Sequence, residues 1–208
     1  MICVGAYGIQ FLSWADISDK GHRLRQRRVR KRTYSRWRGL SHAPFLKGAS
    51  MAQYDQEIRA LSAYGREISW QGGASSSEVR KAEELLGVTL PISYRRFLRE
   101  YGGGGVIGGE ISGVEENDAS LTFGGTIFGD TVECRRRFRL PPELSVIYFH
   151  DDEVCWCLDT KATVDDECPV VSFNIFTGVI DHVIASSFDL FMRGYFEMHS
   201  SKPTSAVA

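Results

Sequence analysis

The chain has 208 residues, a formal net charge of -1, 43% hydrophobic and 12% aromatic residues, which suits one packed domain with tails and is too short for two comfortable domains. No run approaches the ~20 apolar residues that span a bilayer. The five cysteines, Cys3, Cys134, Cys155, Cys157 and Cys168, are odd in number and sparse for a disulfide-built scaffold, so reduced thiols in a cytoplasmic core are expected.

The near-zero net charge hides a split. Residues 1–50 hold 11 Lys/Arg against 2 Asp/Glu, and residues 51–208 hold 14 against 24. The apolar opening from Ile2 to Ala15 precedes its positive charges, the reverse of a secretory signal. The basic run from Arg23 to Arg38, with Tyr34 and Trp37 among it, suits phosphate contacts and stacking. Its low hydrophobic periodicity reads instead as a disordered extension. Composition changes abruptly at Met51, and a translation start there is expected, with residues 1–50 as the product of an over-extended frame.

Tyr54, Ile58 and Leu61 lie at i, i+4 and i+7, which predicts a short helix ending near Gly65. A loop over 72–77 leads to a second helix: Ser75 and Glu78 have capping-box spacing, Val79, Ala82, Leu85 and Leu86 form its apolar face, and Gly87 ends it. Pro91 suits the first position of a third helix, whose face is Tyr94, Phe97, Leu98 and Tyr101, stopped by Gly102 to Gly105. Short strands are predicted over 106–114 and 120–123, and a short helix over 126–138. After Pro141-Pro142 come two hairpins, 145–149 with 154–160 and 169–176 with 179–184, the second turning through Thr177-Gly178. A closing helix is predicted behind a cap at Ser186 and Asp189, with Phe188, Phe191, Met192 and Tyr195 facing inward. Residues 201–208 read as a frayed tail. Helices, then consecutive hairpins, then a helix predict an α+β domain over 51–200, with an antiparallel sheet of five to six strands flanked by helices at both ends.

The stretch Glu83-Glu84-Leu85-Leu86-Gly87-Val88-Thr89-Leu90-Pro91-Ile92-Ser93-Tyr94-Arg95-Arg96-Phe97-Leu98, with Tyr101-Gly102-Gly103-Gly104 after it, closely resembles the signature of the SUKH superfamily. Trp156, the turn from Asn174 to Gly178 and the helix Ser186-Ser187-Phe188-Asp189-Leu190-Phe191 resemble the family's closing half, so the likeness covers roughly residues 68–197. It implies an antiparallel sheet flanked by helices. Many bacterial members are immunity proteins that bind and neutralise a toxin, often a nuclease; others, including the yeast cell-wall regulator, are interaction hubs. The motif residues are packing residues, so the binding surface has to be argued separately.

The densest negative features are the turn Asp151-Asp152-Glu153 and the loop Asp165-Asp166-Glu167. Beside the resemblance they suggest a surface that meets a basic protein toxin; by themselves they are equally two solvated loops. Trp70, next to a glycine loop, is a candidate partner anchor or a core residue. Trp156 reads as core. Cys155 and Cys157 share a strand face, but the knuckle spacing of a zinc site is missing, so no metal is expected. His150 with Asp151 and His182 with Asp181 are sequence neighbours that should point apart, and no nucleophile elbow, P-loop or metalloprotease spacing occurs. Catalysis, a cofactor and a small-molecule substrate are therefore not expected. Three functions remain: a cytoplasmic immunity-type binder of a cognate toxin, a regulatory or scaffold module of the same fold, and, last, nucleic-acid binding through the basic arm.

Overall fold

The structure is a computed structural model and describes residues 54–200. The expected basic extension, the start at Met51, Cys3 and the C-terminal tail lie outside the described residues. Helix α1 (Asp55–Ala63) is followed by strand β1 (Ile68–Trp70), α2 (Ser76–Leu86), α3 (Ile92–Tyr101), β2 (Gly104–Val106) and α4 (Ile127–Phe138). Then come β3 (Leu144–His150), β4 (Val154–Asp159), β5 (Val170–Asn174), β6 (Val179–Ala185) and α5 (Phe188–Ser200). Strands β1 and β2 pair antiparallel, and β3-β4-β5-β6 form a separate antiparallel meander in that order. The architecture is α+β, with six strands and helices at both ends.

The alternation of side chains along the meander puts a core on each face. On one face Trp156, Leu158 and Val170 join the aromatic cluster of Tyr94, Phe97, Phe188, Phe191 and Tyr195 from α3 and α5. On the other, Cys155, Cys157, Val171 and Phe173 pack with Cys134 of α4 and with Leu140, Leu144 and Val146. A strand with apolar side chains on both faces must be covered twice, and β4 is.

Local chemistry explains the element ends and corrects several expectations. Ser75 Oγ accepts the Glu78 N–H at 3.3 Å, but the reciprocal half of the capping box is absent. The Glu78 carboxylate accepts from Ala119 N (2.9 Å), and Ser75 N donates to Asn117 Oδ1 (2.7 Å). The neighbouring loop has taken both partners. Pro91 caps α3 from outside, one residue earlier than expected. For α5, Leu190 N donates to Ser187 Oγ (3.3 Å), so Ser187 rather than Ser186 sits at the cap. Asp189 instead accepts from Tyr54 Oη (2.7 Å) and Arg96 (3.2 Å), tying α1, α3 and α5 together.

The predicted strands over 106–114 and 120–123 do not form. Strand β2 stops at Val106, the chain reverses, and Ile111 bridges back to Gly104. Thr126 Oγ1, donating to the carbonyls of Leu121 and Phe123, folds the second segment into a loop. Thr126 then caps α4 by accepting from Gly129 N (3.1 Å). The glycines after α3 are structural: Gly102 and Gly103 have φ of +75° and +145°, a Cβ on Gly102 would collide with the Gly72 carbonyl, and one on Gly103 would lie 2.7 Å from Gly113 Cα.

Candidate protein-binding surface

The two acidic segments are both two-residue turns. Asp151 and Asp152 have φ of 51° and 55°, Asp165 and Asp166 have 51° and 60°, as the type I′ hairpin requires at its two central positions. Aspartate tolerates this left-handed backbone through local hydrogen bonding, so turn geometry alone accounts for part of the acidic signal.

The turns do not form one patch. The first joins β3 to β4, and the second lies beyond the far end of β4. Six residues of extended chain separate them by about 20 Å. At the first turn, Asp151 and Glu153 are exposed. Asp152 receives two hydrogen bonds from Arg137 at the end of α4 (3.0 and 2.8 Å), and this partner holds the guanidinium pKa above its usual value. Asp151 Oδ2 lies 3.2 Å from His150 Nε2. The expectation that these two neighbours point apart is thus corrected: the positive φ of Asp151 swings its carboxylate back onto the ring. His182 and Asp181 are both exposed on β6.

At the second turn Asp165 and Asp166 are exposed, but Glu167 is half-buried and structural. Its carboxylate accepts from Ser93 N (3.0 Å) and Ser93 Oγ (2.6 Å), and the Asp166 carbonyl accepts from Ile92 N (2.9 Å). These satisfy two of the free N–H groups in the first turn of α3, and the Glu167 carboxylate brings negative charge where the helix dipole favours it.

Trp70 lies on the two-stranded sheet, away from both acidic turns in the topology. Half-buried, its ring packs 4.6 Å from Tyr101 and edge-on to Phe97 at 6.1 Å. Trp156 is half-buried, stacked on Tyr148 at 4.7 Å. Cys155 and Cys157 share a buried face with sulfurs 3.6 Å apart, and Cys134 belongs to their cluster, whereas Cys168 is in the opposite core. Among the described residues, no group of three or more His, Cys, Asp or Glu is placed to hold a metal ion, and no helix is long and apolar enough to cross a membrane.

One feature was missed in the sequence. The antiparallel pairing puts the β5–β6 turn at the same end of the sheet as Asp151-Asp152-Glu153. Phe176 projects there with 79% of its surface exposed. Asn174 Oδ1 accepts from Phe176 N and Thr177 N (3.0 Å each) and fixes the tip. The sequence signal was an aromatic residue between an Asn and a Thr-Gly turn, where strand packing cannot hide it. Charge follows the same half of the domain: residues 151–200 hold 10 Asp/Glu against 2 Lys/Arg. The sheet end therefore offers an aromatic side chain on one turn and acidic groups on another, the composition of a protein-binding anchor with a charged rim.

A family model described as SMI1-KNR4 cell-wall, within the SUKH_5 group, covers residues 54–197, well over half of the chain and all but the last turn of the described fold. This chain belongs to the SUKH superfamily, as a member of the SMI1-KNR4 family.

Proposed function

We propose that this domain is an immunity-type protein that binds and neutralises a cognate protein toxin of basic charge in the cytoplasm, by protein–protein contact and without catalysis or a cofactor. The observation that carries the reading is the sheet end that carries exposed Asp151 and Glu153 on one turn and exposed Phe176 on the other. A nuclease toxin needs a basic face for its nucleic-acid substrate, and an acidic inhibitor seated on that face blocks it sterically and electrostatically. Asp165 and Asp166, at the opposite end of β4, add to the long-range field that speeds encounter.

The test is co-expression of the full chain with the toxin encoded beside it, together with binding kinetics. Asp151→Asn, Asp152→Asn and Glu153→Gln combined remove the charge, and Asn tolerates the positive φ, so the turn survives. This variant should associate about tenfold more slowly at low salt and show a shallower dependence on salt. Phe176→Ala should weaken binding by about 2 kcal/mol, roughly 30-fold. Full protection and unchanged kinetics in both variants would reject the surface.

A further inference from the structure

We infer that β6 is the interface of a two-fold dimer, in which the β6 edges of two copies of this chain lie antiparallel and join the two sheets into one of eight strands. Among the described residues β6 pairs only with β5, so its outer edge is open. It is also apolar: Val179 is 55% exposed, Ile180 42% and Val183 59%. An exposed edge of this composition is a template for another strand.

The occupant follows from the register. Two shifts in the β5–β6 ladder leave Asp181 and Ile184 without partners on β5. Ile180 pairs with Phe173 and Val183 with Val171, so both lie on the face of the Cys155 cluster. His182 pairs with Ser172 and Val179 with Asn174, on the other face. Asp181 is on that same face, because its carboxylate accepts from Asn174 Nδ2 at 3.4 Å. A two-fold axis between Asp181 and His182, perpendicular to the sheet, then sets Ile180 opposite Val183 of the second copy and Asp181 opposite its His182. Every opposed pair shares a face: apolar meets apolar, and carboxylate meets imidazole. A strand without the Asp181 shift would alternate strictly and would match like faces only about an axis through a residue, setting each central side chain against its own copy. The shift moves the matching axis to the step between Asp181 and His182, where a carboxylate meets an imidazole instead of its own copy, so the edge is complementary to itself in charge as well as in face, as a two-fold interface must be. The two acidic tips would then sit at opposite ends of the joined sheet, each still open to a partner.

The experiment is sedimentation of the full chain over a range of micromolar concentrations, with two variants at exposed positions. Wild type should reach twice the single-chain mass. Ile180→Lys/Val183→Lys sets like charges opposite each other across the axis and should sediment as the single chain. Ile180→Lys/Val183→Glu sets opposite charges there and should restore the doubled mass. A wild-type chain that remains single at every concentration overturns the inference and leaves the edge to a foreign strand. The two double variants behaving alike, both single or both doubled, overturns it as well, because the register would then not be the one that matters.

Discussion

Replacing Glu167 by alanine separates the structural from the functional content of the acidic loops. The carboxylate accepts two hydrogen bonds from Ser93, at 3.0 and 2.6 Å, and the Ser93 side chain is fully buried. Losing a capping acceptor costs about 1 kcal/mol, and stranding a buried hydroxyl costs about 1–3 kcal/mol. These overlap, so about 2–3 kcal/mol is expected for Glu167→Ala. With an m-value near 2 kcal/mol/M in urea, the unfolding midpoint should fall by about 1–1.5 M. Glu167→Gln keeps an acceptor oxygen and should lose about half as much. The sharper readout is a double-mutant cycle: Ser93→Ala removes the other partner, and the pair should show a coupling energy above about 1 kcal/mol. Stability within about 0.5 kcal/mol of wild type for Glu167→Ala, or additive effects in the cycle, would refute the capping role and return Glu167 to the free acidic surface.

Three further outcomes are expected. Burial raises the pKa of Asp130, against the opposing hydrogen bonds from Ser112 Oγ and Gly125 N. Its folded state therefore binds a proton more readily than the unfolded chain does, and its contribution to stability declines as pH rises from the ordinary aspartate range through the raised value. Asp130→Asn removes that decline, so its stability relative to wild type should grow across this window in urea titrations; a difference constant with pH would count against it. Tyr195→Phe strands the Val106 N–H, which donates to the phenol at 2.6 Å in a buried site, and should cost about 1–3 kcal/mol by thermal or urea unfolding. A cost under about 0.5 kcal/mol would show that the bond is replaceable. Cys134, Cys155, Cys157 and Cys168 are all buried free thiols; burial and the neighbouring Glu167 push Cys168 up to about 12. All four should resist alkylation until the protein unfolds, as read peptide by peptide by mass spectrometry, and stoichiometric labelling of any in the native state contradicts the packing.

Much of the fold was legible because the signals are local. The i, i+3, i+4, i+7 spacing of Tyr94, Phe97, Leu98 and Tyr101 needs only a helix with a core on one side, and all four are buried. The Thr177-Gly178 turn and the Asp151-Asp152 pair mark hairpins by backbone preference alone. Residues 106–123 were misread because β-branched and apolar residues there pack as loop, with backbone partners supplied by distant segments such as Ile147, whose carbonyl accepts from Ser112 N. Caps failed for the same reason: Glu78 and Asp189 are chemically suited to the role, but Ala119 and Tyr54 compete for them in three dimensions. The site was half legible. Charge could be counted from the chain, yet whether an acid caps a helix, as Glu167 does, or stays exposed, as Asp151 does, depends on contacts 74 residues apart.

The Tyr54–Asp189 hydrogen bond joins residues 135 positions apart, and the Tyr54 and Phe196 rings lie 5.3 Å from each other. The first and last helices of the domain are thus neighbours, and the points where the domain begins and ends share one side of it. Circular permutation becomes a practical design: a short flexible linker from α5 to α1 spans little distance, and new ends cut at Thr177-Gly178 fall in an exposed turn. The same closeness means that two fluorophores fused where the domain begins and ends would report on unfolding as a large change in separation.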